Sequence, residues 1–317
     1  MEISLTVDGH SGLTWERWSH VAALAERLGF SSLRMSDHYF YQRHRDSLDP
    51  YLAFVLLARD TRRIRFGPLV TPVTFREPVN VGRMAAQIDV LSGGRFVLGL
   101  GAGWLEAEHL AYGIAFPSIE ERFARLEEAL ALIKVLWAPG TASYKGKYYR
   151  VEEVNCLPKP VSGRVPILIG GNGERRTLPL VARHADEWNC INLSSNAYKR
   201  KVESLERNCE SVKRNPSTIR RSMQIIGIVG SSKEAIEHLT VALIESISPE
   251  TSVAPDVFRQ QCVADGFIIG GIDEVVDRLG KLSELGLQEV VFLHADTASD
   301  ELPEFLASEI APRVTGL

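Results

Sequence analysis

An adjacent aspartate and histidine, Asp37 and His38, are the strongest candidates for acid–base chemistry in this sequence. Histidine changes its charge near neutral pH, so its side chain can take up or release a proton during a reaction. The neighbouring carboxylate can accept a hydrogen bond from a bound cofactor or from the imidazole. A helix cap beside a surface histidine is the plain alternative for the same two residues.

A glycine-rich segment containing Gly101 and Gly103 follows an almost continuous apolar run. Because glycine has no Cβ atom, the backbone at these positions can approach a flat ring closely. Glu106 lies just beyond, and its plain interpretation is a solvated loop glutamate.

A second glycine-rich turn lies between a predicted strand and a predicted helix. It consists of Gly170, Gly171, Asn172 and Gly173. Free backbone N–H groups and the dipole of the following helix would together form an anion site. Arg175 and Arg176 follow directly and would add positive charge. A tight loop with two solvated arginines is the alternative.

Neither the composition nor the spacing of residues indicates a metal site or a nucleic-acid partner. The four cysteines lie far apart without a Cys-x-x-Cys pair. His10 and His294, each at the end of a predicted strand, lack a third ligand. The net charge of −4, from 36 basic and 40 acidic residues, gives no basic surface for nucleic acid. We therefore predict no metal site, no nucleic-acid partner and a small-molecule substrate.

The elements that must position these candidates alternate along the chain. Alternating or continuous apolar runs predict strands at residues 3–8, 33–37, 64–70, 95–101, 166–169, 187–193, 223–229 and 289–294. Helical periodicity lies between most of them, for example after caps at Thr14 and Ser118. Eight strands alternating with helices, without a linker, predict an α/β fold, namely a single (β/α)8 TIM barrel over residues 1–317.

Three segments exceed the needs of such a barrel and are predicted insertions at the C-terminal face of the strands. They span residues 104–118, 143–165 and 246–265. The second is expected to contain a small hairpin. The third is expected to be either a lid or a surface loop.

A doubly wound sheet is the alternative architecture, but its glycine fingerprint is missing. The turn after the first predicted strand, at residues 8–12, has the wrong spacing. In the segment 99–104, Trp104 occupies the position of the last glycine. Since barrel enzymes work at the carboxyl ends of their strands, we expect the candidate residues to meet there.

Five motifs, in order along almost the whole chain, resemble those of the bacterial-luciferase-like superfamily, and most closely its coenzyme F420-dependent oxidoreductase branch. They read SDHY at 36–39, RFGPLVTP at 65–72, GAGWLEAE at 101–108, IGGNG at 169–173 and ADEWN at 185–189. The resemblance implies a barrel with coenzyme F420 at its mouth, with FMN as the alternative cofactor. It also implies a homodimer.

The resemblance assigns roles to the first two motifs. Asp37 would face the cofactor, and His38 would move the proton that accompanies hydride transfer. The chain would bulge behind the cofactor ring at Pro68, Leu69 and Thr71. A non-proline cis peptide bond is expected at Pro68–Leu69.

The remaining motifs would complete the cofactor site. The glycines at 101 and 103 would lie against the cofactor, the turn at 170–173 would hold its phosphate, and Arg175 or Arg176 would meet its acidic tail. In the sugar-phosphate dehydrogenases of this family a proton-donating glutamate stands at the position of Trp104. Because this chain has a tryptophan there, the resemblance argues against glucose 6-phosphate as substrate. Glu106 is the candidate to replace the missing proton donor.

The predicted function is transfer of a hydride between coenzyme F420 and a small organic substrate. An FMNH2-dependent monooxygenase of the luciferase type is the alternative. A catalytically silent flavin-binding protein is a third possibility, against which the Asp37–His38 pair argues. Since the N-terminal residues lack a targeting pattern and no run of about twenty apolar residues occurs, we expect a cytoplasmic protein without membrane attachment.

Overall fold

The computed structural model describes residues 1–10, 12–41, 46–230, 232–247 and 253–317. Strands and helices alternate along most of the chain. The strands are β1 Glu2–Val7, β2 Ser32–Met35, β3 Arg65–Pro68, β4 Thr71–Pro72, β5 Leu98–Gly101, β6 Ala142–Lys145, β7 Arg150–Val154, β8 Ile167–Gly170, β9 Glu187–Ile191, β10 Arg220–Ile225, β11 Gly227–Val229, β12 Ile268–Gly270 and β13 Glu289–Leu293.

The helices pack outside the main sheet. They are α1 Trp15–Leu28, α2 Pro50–Asp60, α3 Pro78–Ser92, α4 Glu106–Ala111, α5 Ile119–Trp137, α6 Thr177–His184, α7 Ser195–Ser211, α8 Lys233–Ile247, α9 Pro255–Ala264, α10 Ile272–Glu284, α11 Glu301–Phe305 and α12 Ala311–Val314. Among the described residues, none of these helices combines the length and the apolarity needed to cross a lipid bilayer.

The main sheet closes into a parallel barrel. Its strand order is β3-β2-β1-β13-β10-β9-β8-β5-β4. β4 pairs with β5, and Phe66 of β3 forms a bridge to Phe96, just before β5. Because β3 and β4 have this neighbour in common, they are two parts of one barrel strand. The (β/α)8 barrel predicted from the sequence is confirmed.

The third barrel strand is interrupted at Leu69 and Val70, where the backbone bulges. The structure places a non-proline cis peptide bond at Leu69–Val70. The prediction of Pro68–Leu69 is therefore wrong by one peptide. Pro68 still pairs in parallel register with Met35 of β2, so the chain leaves strand geometry only after Pro68.

The lower end of the barrel, where the strands begin, is filled by buried charged groups. Glu289 accepts hydrogen bonds from Ser4 at 2.6 Å and Ser32 at 2.7 Å, and Arg34 lies 3.5 Å from Glu187. Burial alone would raise the pKa of Glu289, but Arg34 and the other nearby guanidinium groups outweigh it and lower the pKa to about 2.

An apolar layer lies above these charges and fills the middle of the barrel. It consists of Leu69, Val97, Leu168 and Val291, with the half-buried Val70 packed against it. Because the interior is filled at these two levels, a ligand would enter from the end where the strands finish.

Local sequence signals explain where the outer helices begin. Thr14 and Ser118 cap α1 and α5, because their side chains accept hydrogen bonds from the backbone N–H of Arg17 and Glu121. Gly29 ends α1 in the left-handed conformation, with φ of 82°. The caps at Thr14 and Ser118 were predicted from the sequence, and both are confirmed.

Three outer segments differ from the simple alternation or refine it. The predicted hairpin is confirmed as β6 and β7. The seventh predicted strand divides, since β10 stays in the barrel while β11 leaves it to pair with β12. The predicted lid or loop at 246–265 contains helix α9, and residues 248–252 of it lie outside the described residues.

Candidate active site

Asp37 lies in the loop after β2 and is buried, with 3% of its surface exposed. Its carboxylate accepts a hydrogen bond from Thr71 Oγ1 at 2.8 Å and forms an ion pair with Arg76 at 3.0 Å. Arg76 also pairs with Asp49 at 3.0 Å. Burial would lower the pKa of Arg76, but Asp37 outweighs that effect and raises it. Asp37 therefore ties the loop after β2 to the third barrel strand.

His38 has a different carboxylate partner from the one the sequence suggested. Its Nδ1 atom lies 2.6 Å from Oε1 of Glu108, a side chain that is fully buried. The other Glu108 oxygen accepts the backbone N–H of Tyr39 at 2.5 Å. With Nδ1–H donating to Glu108, the imidazole keeps its lone pair on Nε2 for a substrate. The suggested hydrogen bond from the imidazole to Asp37 is thus replaced by one to Glu108.

Glu106, the third predicted catalytic residue, lies on the exposed side of α4. Residues two apart on a helix point to nearly opposite sides, so Glu106 and Glu108 cannot both face His38. The structure selects Glu108, which sequence reasoning missed. The signal available in the sequence was its position two residues further along the same motif.

His38 packs edge-on against two other rings at the mouth of the barrel. The centroid of its ring lies 5.5 Å from that of His10 and 5.8 Å from that of Trp104. These rings shield one side of His38 and leave 17% of its side chain accessible. The site therefore offers a partly exposed imidazole above a buried carboxylate.

The predicted cofactor-binding glycines at the strand ends have a packing role in the barrel. A Cβ atom on Gly101 would lie 2.7 Å from Val70 Cγ2, and one on Gly170 would lie 2.9 Å from Val70 Cγ1. Gly103 is similarly close to Thr74, with 3.0 Å to Oγ1. The glycines at 101 and 170 thus make room for the Val70 side chain at the bulge.

The other residues predicted at the bulge are buried. Leu69 packs into the apolar layer inside the barrel, and Thr71 is fully buried with its hydroxyl 3.1 Å from that of Tyr51. Pro68 remains within β3. Val70, which was not singled out in the sequence, is the side chain of the bulge nearest the strand ends.

The turn before α6 is joined to β9 by the Asn172 side chain. The Asn172 amide donates to the Ile191 carbonyl at 2.9 Å, and its oxygen accepts the Ile191 N–H at 3.0 Å. Cβ atoms on Gly171 and Gly173 would lie 3.3 Å and 2.9 Å from Thr177 Oγ1. α6 begins without a side-chain cap. The Leu178 N–H already donates to the Gly173 carbonyl at 3.0 Å, and Pro179 has no N–H, so among the first three helical residues only Thr177 could offer its N–H to an anion.

The two arginines after this turn differ in their surroundings. Arg176 forms an ion pair with Glu120, whereas Arg175 is exposed. Of the two, Arg175 is the side chain that a tail of negative charge could reach without breaking an existing pair.

His294 does not join the site as a metal ligand. It is 1% exposed, and neither ring nitrogen has a hydrogen-bond partner in the described part of the chain. Burial and the nearby Arg17 charge lower its pKa to about 4. Among the described residues, no cluster of three or more His, Cys, Asp and Glu side chains could hold a metal ion.

Residues 3–289 match the family model described as luciferase-like monooxygenase. The chain belongs to this family. The five motifs that suggested the resemblance all lie within the matched residues.

Curated relatives match either most of this luciferase-like chain or about half of it. A protein of Nocardia farcinica named F420-dependent glucose-6-phosphate dehydrogenase is 29% identical over 94% of this chain and 93% of its own length. A protein of the same name from Amycolatopsis mediterranei is 35% identical over 52% of this chain. In that second match the chain spans about half of the relative's length, 48%.

Solved structures share the fold at lower identity. One is an F420-dependent secondary alcohol dehydrogenase bound to an F420-acetone adduct, with a TM-score of 0.82, 18% identity, and coverage of 99% of this chain and 98% of that one. Another is the oxygenating constituent of the 3,6-diketocamphane monooxygenase of Pseudomonas putida with FMN, with a TM-score of 0.77, 19% identity, and coverage of 98% and 99%. Both show that the luciferase-like barrel is the fold of this chain.

Proposed function

We propose that this luciferase-like protein is a coenzyme F420-dependent oxidoreductase that transfers a hydride between the deazaflavin and a small organic substrate. The observation that carries the proposal is the His38–Glu108 pair, a proton-transfer group at the end of β2, 2.6 Å from a buried carboxylate. The likeness to a relative named F420-dependent glucose-6-phosphate dehydrogenase, 29% identical over 94% of this chain, supports the choice of cofactor.

The residues at the strand ends suit a flat cofactor with a phosphate and an acidic tail. The backbone N–H of Thr177 at the start of α6 and the glycine turn at 170–173 would meet the phosphate. Arg175 would meet the tail, and the Val70 bulge would support one face of the ring. Asp37 and Thr71 would lie behind the Val70 bulge, where their hydrogen bond would hold the bulge against the loop after β2.

His38 is the group that moves the proton. Bound coenzyme F420 would accept the hydride that an alcohol carbon gives up, and Nε2 of His38 would take the accompanying O–H proton, so that a carbonyl is left. Glu108 orients the imidazole and stabilises the positive charge that the ring acquires. In the direction of reduction His38 returns the proton to oxygen.

The FMNH2-dependent monooxygenase remains the second candidate, because the solved FMN-containing monooxygenase shares the same barrel at a TM-score of 0.77. A deazaflavin has carbon in place of the flavin N5 and supports two-electron chemistry without activating oxygen. The two candidates therefore differ in whether oxygen is consumed.

The test is turnover followed simultaneously by cofactor absorbance and an oxygen electrode. We expect substrate-dependent reduction or oxidation of coenzyme F420 at equal rates in air and under nitrogen, without oxygen uptake. Oxygen uptake coupled to reduced FMN, with coenzyme F420 unused, would transfer the proposal to the monooxygenase.

Three further properties stay predictions. They are the single domain over residues 1–317, a homodimer, and a cytoplasmic location without nucleic-acid or membrane partners. Sedimentation of the purified protein tests the second directly.

A further inference from the structure

The buried carboxylate that binds His38 is carried by a very short helix, α4. The helix has six residues, Glu106–Ala111, and no side chain caps its first turn. Isolated helices of this length are unstable in water, because fixing the first turn costs more conformational entropy than one hydrogen bond offsets. The contacts of α4 with the barrel loops therefore decide where Glu108 lies.

His109, the residue after Glu108, forms such a contact. It is fully buried, its Nδ1 atom lies 2.8 Å from the Leu105 carbonyl oxygen, and its Nε2 atom lies 2.6 Å from Oγ1 of Thr74. A carbonyl oxygen can only accept, so Nδ1 carries the proton, and Nε2 of the neutral ring accepts the Thr74 hydroxyl. His109 thereby joins α4 to the loop that follows β4.

Flat side chains pack on His109 in a continuous series. The centroid of its ring lies 4.9 Å from that of Phe75 and 4.7 Å from that of Phe116. Beyond these two rings, the guanidinium carbon of Arg122 lies 3.9 Å from the Phe116 centroid, and the Tyr39 ring lies 4.6 Å from that of Phe75. Contacts between flat groups prefer defined geometries, so this packing restricts the movement of His109.

The close approach of Thr74 to His109 gives Gly103 a further structural reason. Gly103 has a φ of 80°, and a Cβ atom there would lie 3.0 Å from Thr74 Oγ1 and 3.8 Å from His109 Cε1. A larger residue would therefore press on the hydrogen bond between Thr74 and His109.

Glu108 and His109 hold α4 in two different directions. Consecutive residues of an α-helix are about 100° apart around its axis. Glu108 faces the loop after β2, where it binds His38 and the Tyr39 N–H, and His109 faces the loop after β4. One of these contacts alone would leave the helix free to turn about its axis, whereas the two together fix its rotation.

We infer that His109 is a positioning residue that, through its hydrogen bond to Thr74, holds Glu108 at the His38 imidazole. It acts on the reaction through Glu108. Its effect on turnover rests on the proposed function, whereas its effect on the position of Glu108 does not.

Amide hydrogen exchange measures the position of Glu108 without turnover. The Tyr39 N–H donates to Glu108 at 2.5 Å, so displacement of the carboxylate should expose this amide. His109→Phe keeps a flat ring but loses both hydrogen bonds of the imidazole. We expect it to speed exchange at Tyr39 about three- to tenfold, the value of one hydrogen bond. The increase should exceed any change at the Phe292 amide in β13, which reports on unfolding of the barrel.

Turnover of coenzyme F420 with 2-propanol as the test alcohol shows whether His109 acts through Glu108. His109→Phe should lower kcat about three- to tenfold with little change in KM. His109→Gln, whose amide oxygen can still accept from Thr74, should retain most of kcat. In a Glu108→Ala background, where no carboxylate remains to be positioned, His109→Phe should lower kcat no further.

Leu110→Ala is the matched control, since it changes the next residue of α4, whose side chain is 70% exposed. It should leave both Tyr39 exchange and kcat as in wild type. If His109→Phe folds poorly, Thr74→Val removes the same hydrogen bond from the other side and should show the same changes.

The inference is overturned if Tyr39 exchange in His109→Phe changes no more than Phe292 exchange, or if the kcat losses of His109→Phe and Glu108→Ala are additive. Faster Tyr39 exchange in a protein that does not turn over coenzyme F420 would support the positioning role and overturn only the proposed function. Turnover of coenzyme F420 by His109→Phe at the wild-type rate would overturn only the inference.

Discussion

At the scale of single residues, the site depends on which of two carboxylates, Asp37 or Glu108, binds the His38 imidazole. Asp37 is the neighbour of His38 in sequence, but it is committed to Arg76 and Thr71. Glu108, 70 residues away, takes the imidazole and a backbone N–H. A buried carboxylate is tolerated when hydrogen bonds satisfy its oxygens, and Glu108 meets that condition through His38 and Tyr39.

Replacing His38 tests proton transfer. In His38→Asn we expect kcat to fall about 10²- to 10⁴-fold, the usual contribution of general acid–base catalysis. The dissociation constant of coenzyme F420, measured by fluorescence titration, should stay unchanged. His20→Asn is the control, because His20 lies on α1 and pairs with Asp300. Unchanged turnover in His38→Asn would remove His38 from the reaction.

Replacing Glu108 tests whether it positions His38. We expect Glu108→Gln to lower kcat about 10- to 100-fold with little change in KM, as when a partner that orients a functional histidine is lost. Glu108→Ala should be worse, because it also leaves the Tyr39 N–H without an acceptor. If both variants lose stability equally while kcat is kept, Glu108 is only structural.

At the scale of elements, the decisive feature is the broken third strand. Its periodicity predicted one strand, and the alternation of strands with helices predicted the barrel correctly. The position of the bulge could be predicted from the sequence only to within one residue. The strand geometry ends after Pro68, which pairs with Met35, and this register depends on the neighbouring strand β2. The packing role of Gly101 and Gly170 could not be predicted either, because the Val70 side chain that lies against them belongs to another strand.

The contact between Gly101 and Val70 makes a double-mutant prediction. Gly101→Ala should lower the free energy of unfolding by about 1–3 kcal/mol, because its Cβ would lie 2.7 Å from Val70 Cγ2. Combining it with Val70→Ala should restore much of that loss, giving a coupling energy measurable by urea denaturation.

Gly280→Ala provides a control of opposite sign. It lies within α10, where a Cβ would meet nothing nearer than Leu317 Cδ1 at 4.0 Å. Alanine there should stabilise the protein by about 0.5–1 kcal/mol. Additive losses in the Gly101 and Val70 pair would contradict the packing explanation.

At the scale of the whole molecule, the strand order brings together residues that are distant along the chain. The sequence predicted that Asp37, Gly101, Gly170 and His294 lie at the carboxyl ends of strands. The structure places all four at that end of the barrel. The sequence could not tell which side chains face the mouth, because loops depart from strict strand alternation. Helical spacing could have separated Glu106 from Glu108, but the burial of α4 is a tertiary property.

His294 makes the stability of the whole fold depend on pH. Burial lowers its pKa to about 4 in the folded protein, whereas an unfolded histidine titrates at about 6.5. Above about pH 6.5 the ring is neutral in both states. As the pH falls from there towards 4, the unfolded chain binds the proton first and gains stability. Folding stability is therefore lost in this window.

We expect wild-type protein to lose about 2 kcal/mol more than His294→Phe between about pH 7 and pH 5 in urea denaturation. Phenylalanine keeps a flat ring, and no hydrogen bond of the described residues is lost. His238→Phe, on the exposed surface of α8, should behave like wild type. Parallel pH profiles for wild type and His294→Phe would show that His294 does not set this dependence.

The central claim is that the barrel mouth is built for a deazaflavin. Parallel titrations of the purified protein with coenzyme F420 and with FMN, followed by cofactor absorbance and fluorescence, test it most directly. The structure-based prediction is saturable binding of coenzyme F420, weakened by Arg175→Glu, with FMN bound at least about tenfold more weakly, a difference of about 1.4 kcal/mol. Tight binding of reduced FMN, with no spectral change on adding coenzyme F420, would contradict it.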